Sequence, residues 1–309
     1  MSGWRSLAVV ALLLGLPSGA WAWCRMTTST EEPTTRMPCV LPGPEDHYLA
    51  WLSRCSAIAV ADIPETGDET IDAAARARVA LVREVLPRSL STWEAIECGG
   101  QSLGFQARLL DDASTCTSAL YRDGGGNANT VVLSQDWGYE AAAYAVTTVW
   151  HRKSTGEILD VDIEINERRG PYGTCPASGC EGGRIVDLEN VLTHELGHYF
   201  GLAHSTEVES TMYASAPPGE TTKRDLSPDD VAGLCAAYPA GSLPDTCDDT
   251  PRGGLRLDCN TGCSVRPARR SVPTTLIAAL LVLAVRCAGG RGRRQSSSKA
   301  SSRARRAVS

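Results

Sequence analysis

The sequence predicts an α+β fold, with a twisted sheet of about five strands, a long helix and a second helix that carries three histidines. Segments of alternating or β-branched apolar residues recur between residues 55 and 166, as in strands. An Ala- and Arg-rich segment from Ile71 has its apolar residues at helical spacing, and the histidines follow in another helical pattern. These observations favour a mixed domain.

The five predicted strands all precede the histidine helix. They are residues 55–62, 103–109, 130–134, 142–150 and 158–166. The long helix runs from Ile71 to about Glu84, where Pro87 either kinks or ends it, with Trp93 and Ile96 extending its apolar face.

The histidine helix begins near Asp187, a residue type that caps helix N-termini. Glu189 in its first turn interacts favourably with the helix dipole. A last helix is predicted at Ser227, which is followed by proline at the first helical position and two acidic residues. Pro239 closes it.

The motif H-E-x-x-H-x-x-G-x-x-H begins on the histidine helix and is formed by His194, Glu195, His198, Gly201 and His204. His194 and His198 project from the same face, one turn apart, as two ligands of one Zn²⁺. Gly201 accepts the left-handed conformation that ends a helix, which would bring back His204 as the third ligand. Three protein ligands leave the fourth position for water, and Glu195 lies close enough to act as its base.

Two other interpretations of this motif stay open. A helix could contain three histidines without a metal, although only five histidines occur in the whole chain. A metal could also be bound without catalysis.

The first 22 residues predict a secretory signal peptide, with Arg5, an apolar run and Ala20-Trp21-Ala22 as the cleavage pattern. Twelve cysteines in an exported chain favour disulfides. Eight of them lie between Cys24 and Cys235, consistent with four bridges, and a local Cys175–Cys180 bridge is our first expectation. A second metal site from cysteines is the alternative.

The net charge of −6 conceals an uneven distribution. All 36 acidic residues precede Cys259, whereas the sequence from Cys259 onward has basic residues and no acidic ones. The strongly acidic character of the residues before Cys259 argues against nucleic acid as a partner. Ca²⁺ sites are compatible with it, but a solvated acidic surface explains it equally well.

The sequence resembles the metzincin zinc proteases, and within them the matrixins. The zinc motif ends in His204-Ser205, and Met212 resembles the Met-turn beneath the metal. Residues 226–239 resemble the matrixin C-terminal helix, and residues 156–163 resemble the family's last strand. The resemblance covers roughly residues 50–240.

This resemblance implies a zinc endopeptidase with His194, His198 and His204 as metal ligands and Glu195 as general base. Gly201 and Met212 would support the site. Protein or peptide substrates would lie extended along residues 143–149, and the enzyme would be a monomer. The alternatives are a zinc-bearing surface binding protein without turnover and a metzincin that acts on a non-peptide amide.

Two family features have no clear counterpart. The sequence shows no long propeptide, and Cys39 is expected in a disulfide rather than as a ligand that keeps the enzyme latent. The calcium-binding and structural-zinc loops of animal matrixins have no clear counterpart either. Asp160 and Asp162 are expected as exposed strand acids, with a place near a cation as the alternative.

The sequence divides into six segments, in which a domain at 55–240 follows a cysteine-containing lead-in. The divisions are 1–22, 23–54, 55–240, 241–271, 272–288 and 289–309. Cys263, the apolar segment 272–288 and the arginines after it resemble a bacterial sorting tag of the myxobacterial type, which implies an exported, surface-anchored or extracellular protein. A plain membrane anchor with flanking arginines is the alternative.

Overall fold

The computed structural model describes residues 22–31 and 39–259, and the backbone of residues 304–308. The predicted signal peptide lies outside the described residues, except for Ala22, as do the apolar segment 272–288 and most of the basic tail. Among the described residues, no helix is long and apolar enough to cross a membrane.

A twisted sheet of five strands forms the centre of the domain. The strands are β1 (Cys55–Val60), β2 (Gln106–Leu109), β3 (Asn129–Ser134), β4 (Ala145–His151) and β5 (Ile158–Asn166). Their order is β4-β5-β3-β1-β2, and only β4 runs antiparallel to its neighbour. A further strand, β6 (Ala304–Val308), pairs antiparallel with the outer edge of β4.

Three helices accompany the sheet: α1 (Glu69–Glu94), α2 (Leu188–Tyr199) and α3 (Pro228–Ala237). Val82 of α1, Ile163 of β5 and Leu192 of α2 belong to one buried core, which places both helices against the same face of the sheet. The Trp93 indole N–H donates to the Thr193 carbonyl at 2.8 Å and ties α1 to α2. The predicted α+β class is thereby confirmed.

Helix α1 continues through Pro87. Proline removes one backbone hydrogen bond, but Leu90 and Trp93 in the following turns are buried in the core. Burial of those side chains holds the helix together to Glu94.

Short elements complete the described chain. Two-residue strands lie at Cys24–Arg25, Glu97–Cys98, Gln101–Ser102, Tyr172–Gly173, Val186–Asp187 and Leu202–Ala203, and 3-10 turns at Glu167–Arg169, Glu181–Gly183 and Thr222–Arg224. The lead-in strand Cys24–Arg25 pairs with Leu202–Ala203, which follows α2 directly.

All ten cysteines among the described residues form disulfides. The pairs are Cys24–Cys39, Cys55–Cys247, Cys98–Cys235, Cys116–Cys259 and Cys175–Cys180. The expected Cys175–Cys180 bridge and the disulfide state of Cys39 are confirmed. The expectation of four bridges among the first eight cysteines is wrong, because Cys55 and Cys116 pair with cysteines of the segment after residue 240.

Asp160 and Asp162 are not exposed strand acids, and that expectation is wrong. They are 0% and 2% exposed, on a strand that is buried along most of its length. The backbone N–H groups of Leu120 and Thr130 donate to Asp162. Burial raises the pKa of both carboxyl groups well above the usual range.

Candidate metal centre

Helix α2 places two imidazoles on one buried face. It starts at Asp187, whose side chain accepts from the Asn190 N–H, as expected of its N-cap. His194 and His198 are one turn apart and at most 1% exposed. Together with His204 they offer ligand atoms that all lie within 4.8 Å of one another.

The turn at Gly201 brings His204 to the other two histidines. Gly201 has a φ of +87°, and its N–H donates to the His198 carbonyl at 2.9 Å. A Cβ at this position would lie 2.7 Å from the Leu49 carbonyl oxygen, so a side chain is excluded by space as well as by φ. The chain reverses there, and the Nε2 atoms of His198 and His204 come within 3.2 Å.

Backbone carbonyls orient two of the imidazoles. His194 Nδ1 lies 2.6 Å from the Thr211 carbonyl oxygen, and His198 Nδ1 lies 2.8 Å from that of Leu202. A carbonyl only accepts, so each Nδ1 carries the proton and each Nε2 presents a lone pair to the centre of the cluster. Burial, with Lys223 and the other two imidazoles nearby, lowers the pKa of His194 well below its usual range. A neutral imidazole is the form that binds a metal.

Glu195 is buried beside the histidines and bound on one side only. Its Oε2 accepts a hydrogen bond of 2.5 Å from the Thr147 hydroxyl, whereas Oε1 has no hydrogen-bond partner among the described residues. Burial raises the pKa of Glu195 to about 8, against the opposing effects of the Thr147 hydroxyl and Lys223.

The unpartnered atoms fit a metal ion. His194 Nε2 and Glu195 Oε1 are both buried and have no partner in the described part of the chain. Such groups without a partner in a native interior are costly, and a bound metal ion would be a partner for them. Three nitrogen donors with an adjacent carboxylate form a donor set typical of catalytic zinc.

Met212 lies directly beneath α2. It is 2% exposed, and its sulfur touches Gly197 so closely that a Cβ there would lie 2.0 Å from Sδ. The Met212 N–H donates to Asp230. The structure thus brings Met212 and Gly201, the two expected supporting residues, to the site.

The sequence predicted no role at the site for four residues that surround it. They are Thr147, Lys223, Asp229 and Asp230. Lys223 is 3% exposed and its ammonium donates to the carbonyls of Thr211 and Tyr213, while burial lowers its pKa to about 8. No local sequence pattern predicts their contacts at the site, because each of these contacts joins residues that are 10 or more positions apart in the chain.

The α+β fold and the three-histidine site are consistent with a metzincin-type catalytic domain. The family model described as Matrixin matches residues 111–239, which include the sheet strands β3 to β5 and the whole histidine motif. This part of the chain is therefore similar to the matrixins, a family that implies zinc in the site.

Similar proteins come from several kingdoms. The chain is 53% identical over 76 residues to metalloendoproteinase 1-MMP of Arabidopsis thaliana, covering 25% of this chain and 18% of that protein. It is 30% identical over 132 residues to human neutrophil collagenase, covering 34% of this chain and 28% of the collagenase. The chain thus spans less than a third of the length of either relative.

Proposed function

We propose that this protein is a zinc-dependent endopeptidase that hydrolyses peptide bonds. One observation carries the proposal: Glu195, next to His194 on α2, has a buried Oε1 without a partner among the described residues, and the ligand atoms of the three histidines lie within 4.8 Å of one another. A structural metal site needs no free carboxylate oxygen, whereas a hydrolytic site needs one to take a proton from water. The names of the similar metalloendoproteinases support the same activity.

Each of the predicted site residues has a role in this proposal. His194, His198 and His204 would hold Zn²⁺, which supplies Lewis acidity and lowers the pKa of water when it is bound. Glu195 would take the proton from the attacking water at Oε1 and deliver it to the leaving amine. Gly201 and Met212 would keep the ligands in place.

The substrate would bind as an extended strand along the edge of β4. One edge of β4 pairs with β5. The other, outer edge pairs antiparallel with β6, from Ala304 to Val308. An edge of this kind can accept a peptide backbone by β-augmentation. Binding through backbone atoms would suit protein or peptide substrates of varied sequence.

A protease assay on an unfolded protein substrate tests the proposal. Glu195→Ala should abolish cleavage while zinc content stays at one equivalent, since the ligands are intact. Glu209→Gln, which alters an exposed carboxylate in the loop after the motif, is the matched control and should keep wild-type activity. A chelator should abolish wild-type activity, and added zinc should restore it.

Two outcomes would contradict the proposal. Cleavage that persists in Glu195→Ala would exclude the general base. A wild-type protein that binds zinc but cleaves no peptide would favour the zinc-bearing binding protein or the enzyme for non-peptide amides.

We also propose that the protein is exported and held at the cell surface or released. Five disulfides favour an oxidising compartment, and the signal peptide and the tail from Cys263 are sequence predictions. Mass spectrometry of the mature protein should find Trp23 at the N-terminus and no Ser309 at the C-terminus. An intact Ser309 would contradict cleavage of the tail as a sorting tag.

A further inference from the structure

The side chain of Thr147 connects the edge strand to the proposed general base. Its hydroxyl donates to Glu195 Oε2 at 2.5 Å, and both residues are 0% exposed. Because water does not reach this contact, no solvent molecule replaces the hydrogen bond when it is lost.

This hydrogen bond makes the two oxygens of the Glu195 carboxylate unequal. Oε2 is bound to Thr147, and Oε1 is the oxygen without a partner among the described residues. The terminal torsion of a glutamate side chain is broad, so an unbound carboxylate would rotate freely. Thr147 restricts that rotation and leaves a defined oxygen for the proton.

Only one face of β4 can supply this contact. Successive side chains of a strand point to opposite faces, so Thr147 faces α2 and the adjacent Thr148 faces away from it. Thr148 is 1% exposed, and its hydroxyl has no hydrogen-bond partner among the described residues. The register of β4 on β5, in which Thr147 pairs with Ile163, fixes which threonine reaches Glu195.

We propose that Thr147 is a positioning residue for Glu195, which holds the carboxylate so that Oε1 is aimed at the attacking water. The proposal rests on the proposed peptidase function. It also makes the strand that would bind the substrate part of the apparatus that orients the base, because Thr147 belongs to β4.

The experiment compares hydroxyl-bearing and hydroxyl-free variants in the full-length protein. We would measure kcat and KM on a peptide substrate, together with zinc content and circular dichroism. Thr147→Val removes the hydroxyl with little change in volume, and Thr147→Ala removes it without adding apolar bulk. Thr147→Ser keeps the hydroxyl, and Thr130→Val is the matched control, because it removes the hydroxyl of another buried threonine, on β3, where that hydroxyl donates to the Ala128 carbonyl.

Both hydroxyl-free variants should lose about ten- to a hundredfold in kcat, the loss expected when a buried hydrogen bond to a charged group disappears. KM and zinc content should change less than about twofold, since neither the edge of β4 nor the imidazoles are altered. Thr147→Ser should recover most of kcat, and Thr130→Val should have the kcat of the wild type. Rescue by serine separates positioning from a packing defect. If Thr147→Val fails to fold, Thr147→Ala and Thr147→Ser still make the comparison.

Three results would overturn the proposal. They are wild-type kcat in a folded hydroxyl-free variant of Thr147, an equal loss in Thr130→Val, and a loss that appears in KM rather than kcat. Any of these with an inactive Glu195→Ala would leave the proposed function standing, so the two failures are distinguishable.

Discussion

At the scale of single residues, the histidine motif is shaped as much by its glycines as by its ligands. Gly201 allows the chain to reverse so that His204 reaches the other two histidines, and Gly197 allows α2 to contact Met212. A Cβ at Gly197 would also lie 2.9 Å from the Trp93 ring. Gly197 therefore marks a close contact of the helix with two buried side chains.

Gly197→Ala tests this contact. Helix propensity alone favours alanine by about 1 kcal/mol. Overpacking of a filled core costs about 1–3 kcal/mol, and a contact of 2.0 Å with a buried sulfur belongs at the upper end of that range. We expect a net decrease in the free energy of unfolding, measured by urea denaturation, and a lower zinc affinity.

The control for this change is Gly138→Ala, where a Cβ would have no atom within 4 Å. It should leave both stability and zinc affinity unchanged. A Gly197→Ala protein as stable as the wild type would show that Met212 moves aside without cost.

At the scale of elements, the N-terminus of α3 binds the loops around the metal site. Ser227 and Asp230 form the capping box of α3. Asp230 also accepts from the Ser210 hydroxyl and from the backbone N–H groups of Thr211 and Met212. Its neighbour Asp229 accepts from the Ser205 hydroxyl and the Trp23 N–H. The two acids therefore join the lead-in, the turn after His204 and the Met212 turn.

Sequence patterns predicted the elements better than the contacts between them. The capping residues at Asp187 and Ser227, the strand 158–166 and the histidine motif depend on neighbouring residues, and the structure has them as expected. The roles of Thr147 and Asp230 depend on partners 48 and about 20 positions away. Propensity and periodicity carry no information about such pairings, which arise from tertiary packing.

Asp230→Ala should disturb both α3 and the metal site. Hydrogen bonds to charged groups contribute about 1.5–3 kcal/mol each, so losing several should decrease the free energy of unfolding by about 3 kcal/mol or more. Thr211 would lose its anchor, and its carbonyl orients His194. Loss of a contact that orients a metal ligand weakens metal binding about ten- to a hundredfold. Competition with a fluorescent zinc chelator measures the second effect.

Asp225→Ala, at an exposed acid just before the same helix, is the control. It should change neither stability nor zinc affinity. A normal zinc affinity in Asp230→Ala would contradict this argument, because it would show that His194 keeps its orientation when Asp230 no longer holds Thr211 and Met212.

At the scale of the whole molecule, the segment after α3 is attached to the domain and not merely appended to it. Cys247 and Cys259 are bonded to Cys55 and Cys116. Between them, the Leu257 carbonyl accepts from the Thr115 N–H, and Arg256 donates to the Asn127 carbonyl. The proposed domain boundary at residue 240 stays a prediction, but residues 247–259 are fixed to the side of the sheet that carries β1 and the loops around it.

The two kinds of disulfide should differ in how much they stabilise the fold. In the chain-entropy model, a crosslink that closes a longer loop restricts the unfolded state more. Cys116–Cys259 spans 143 residues and Cys175–Cys180 spans five, which corresponds to about 5 and about 2 kcal/mol of stabilisation. The double variants Cys116→Ser/Cys259→Ser and Cys175→Ser/Cys180→Ser should lose free energy of unfolding in that order, as urea denaturation would measure. Both should retain zinc, because none of these cysteines contacts the three histidines. An equal loss in the two variants would mean that local contacts, rather than loop closure, determine what these bridges contribute.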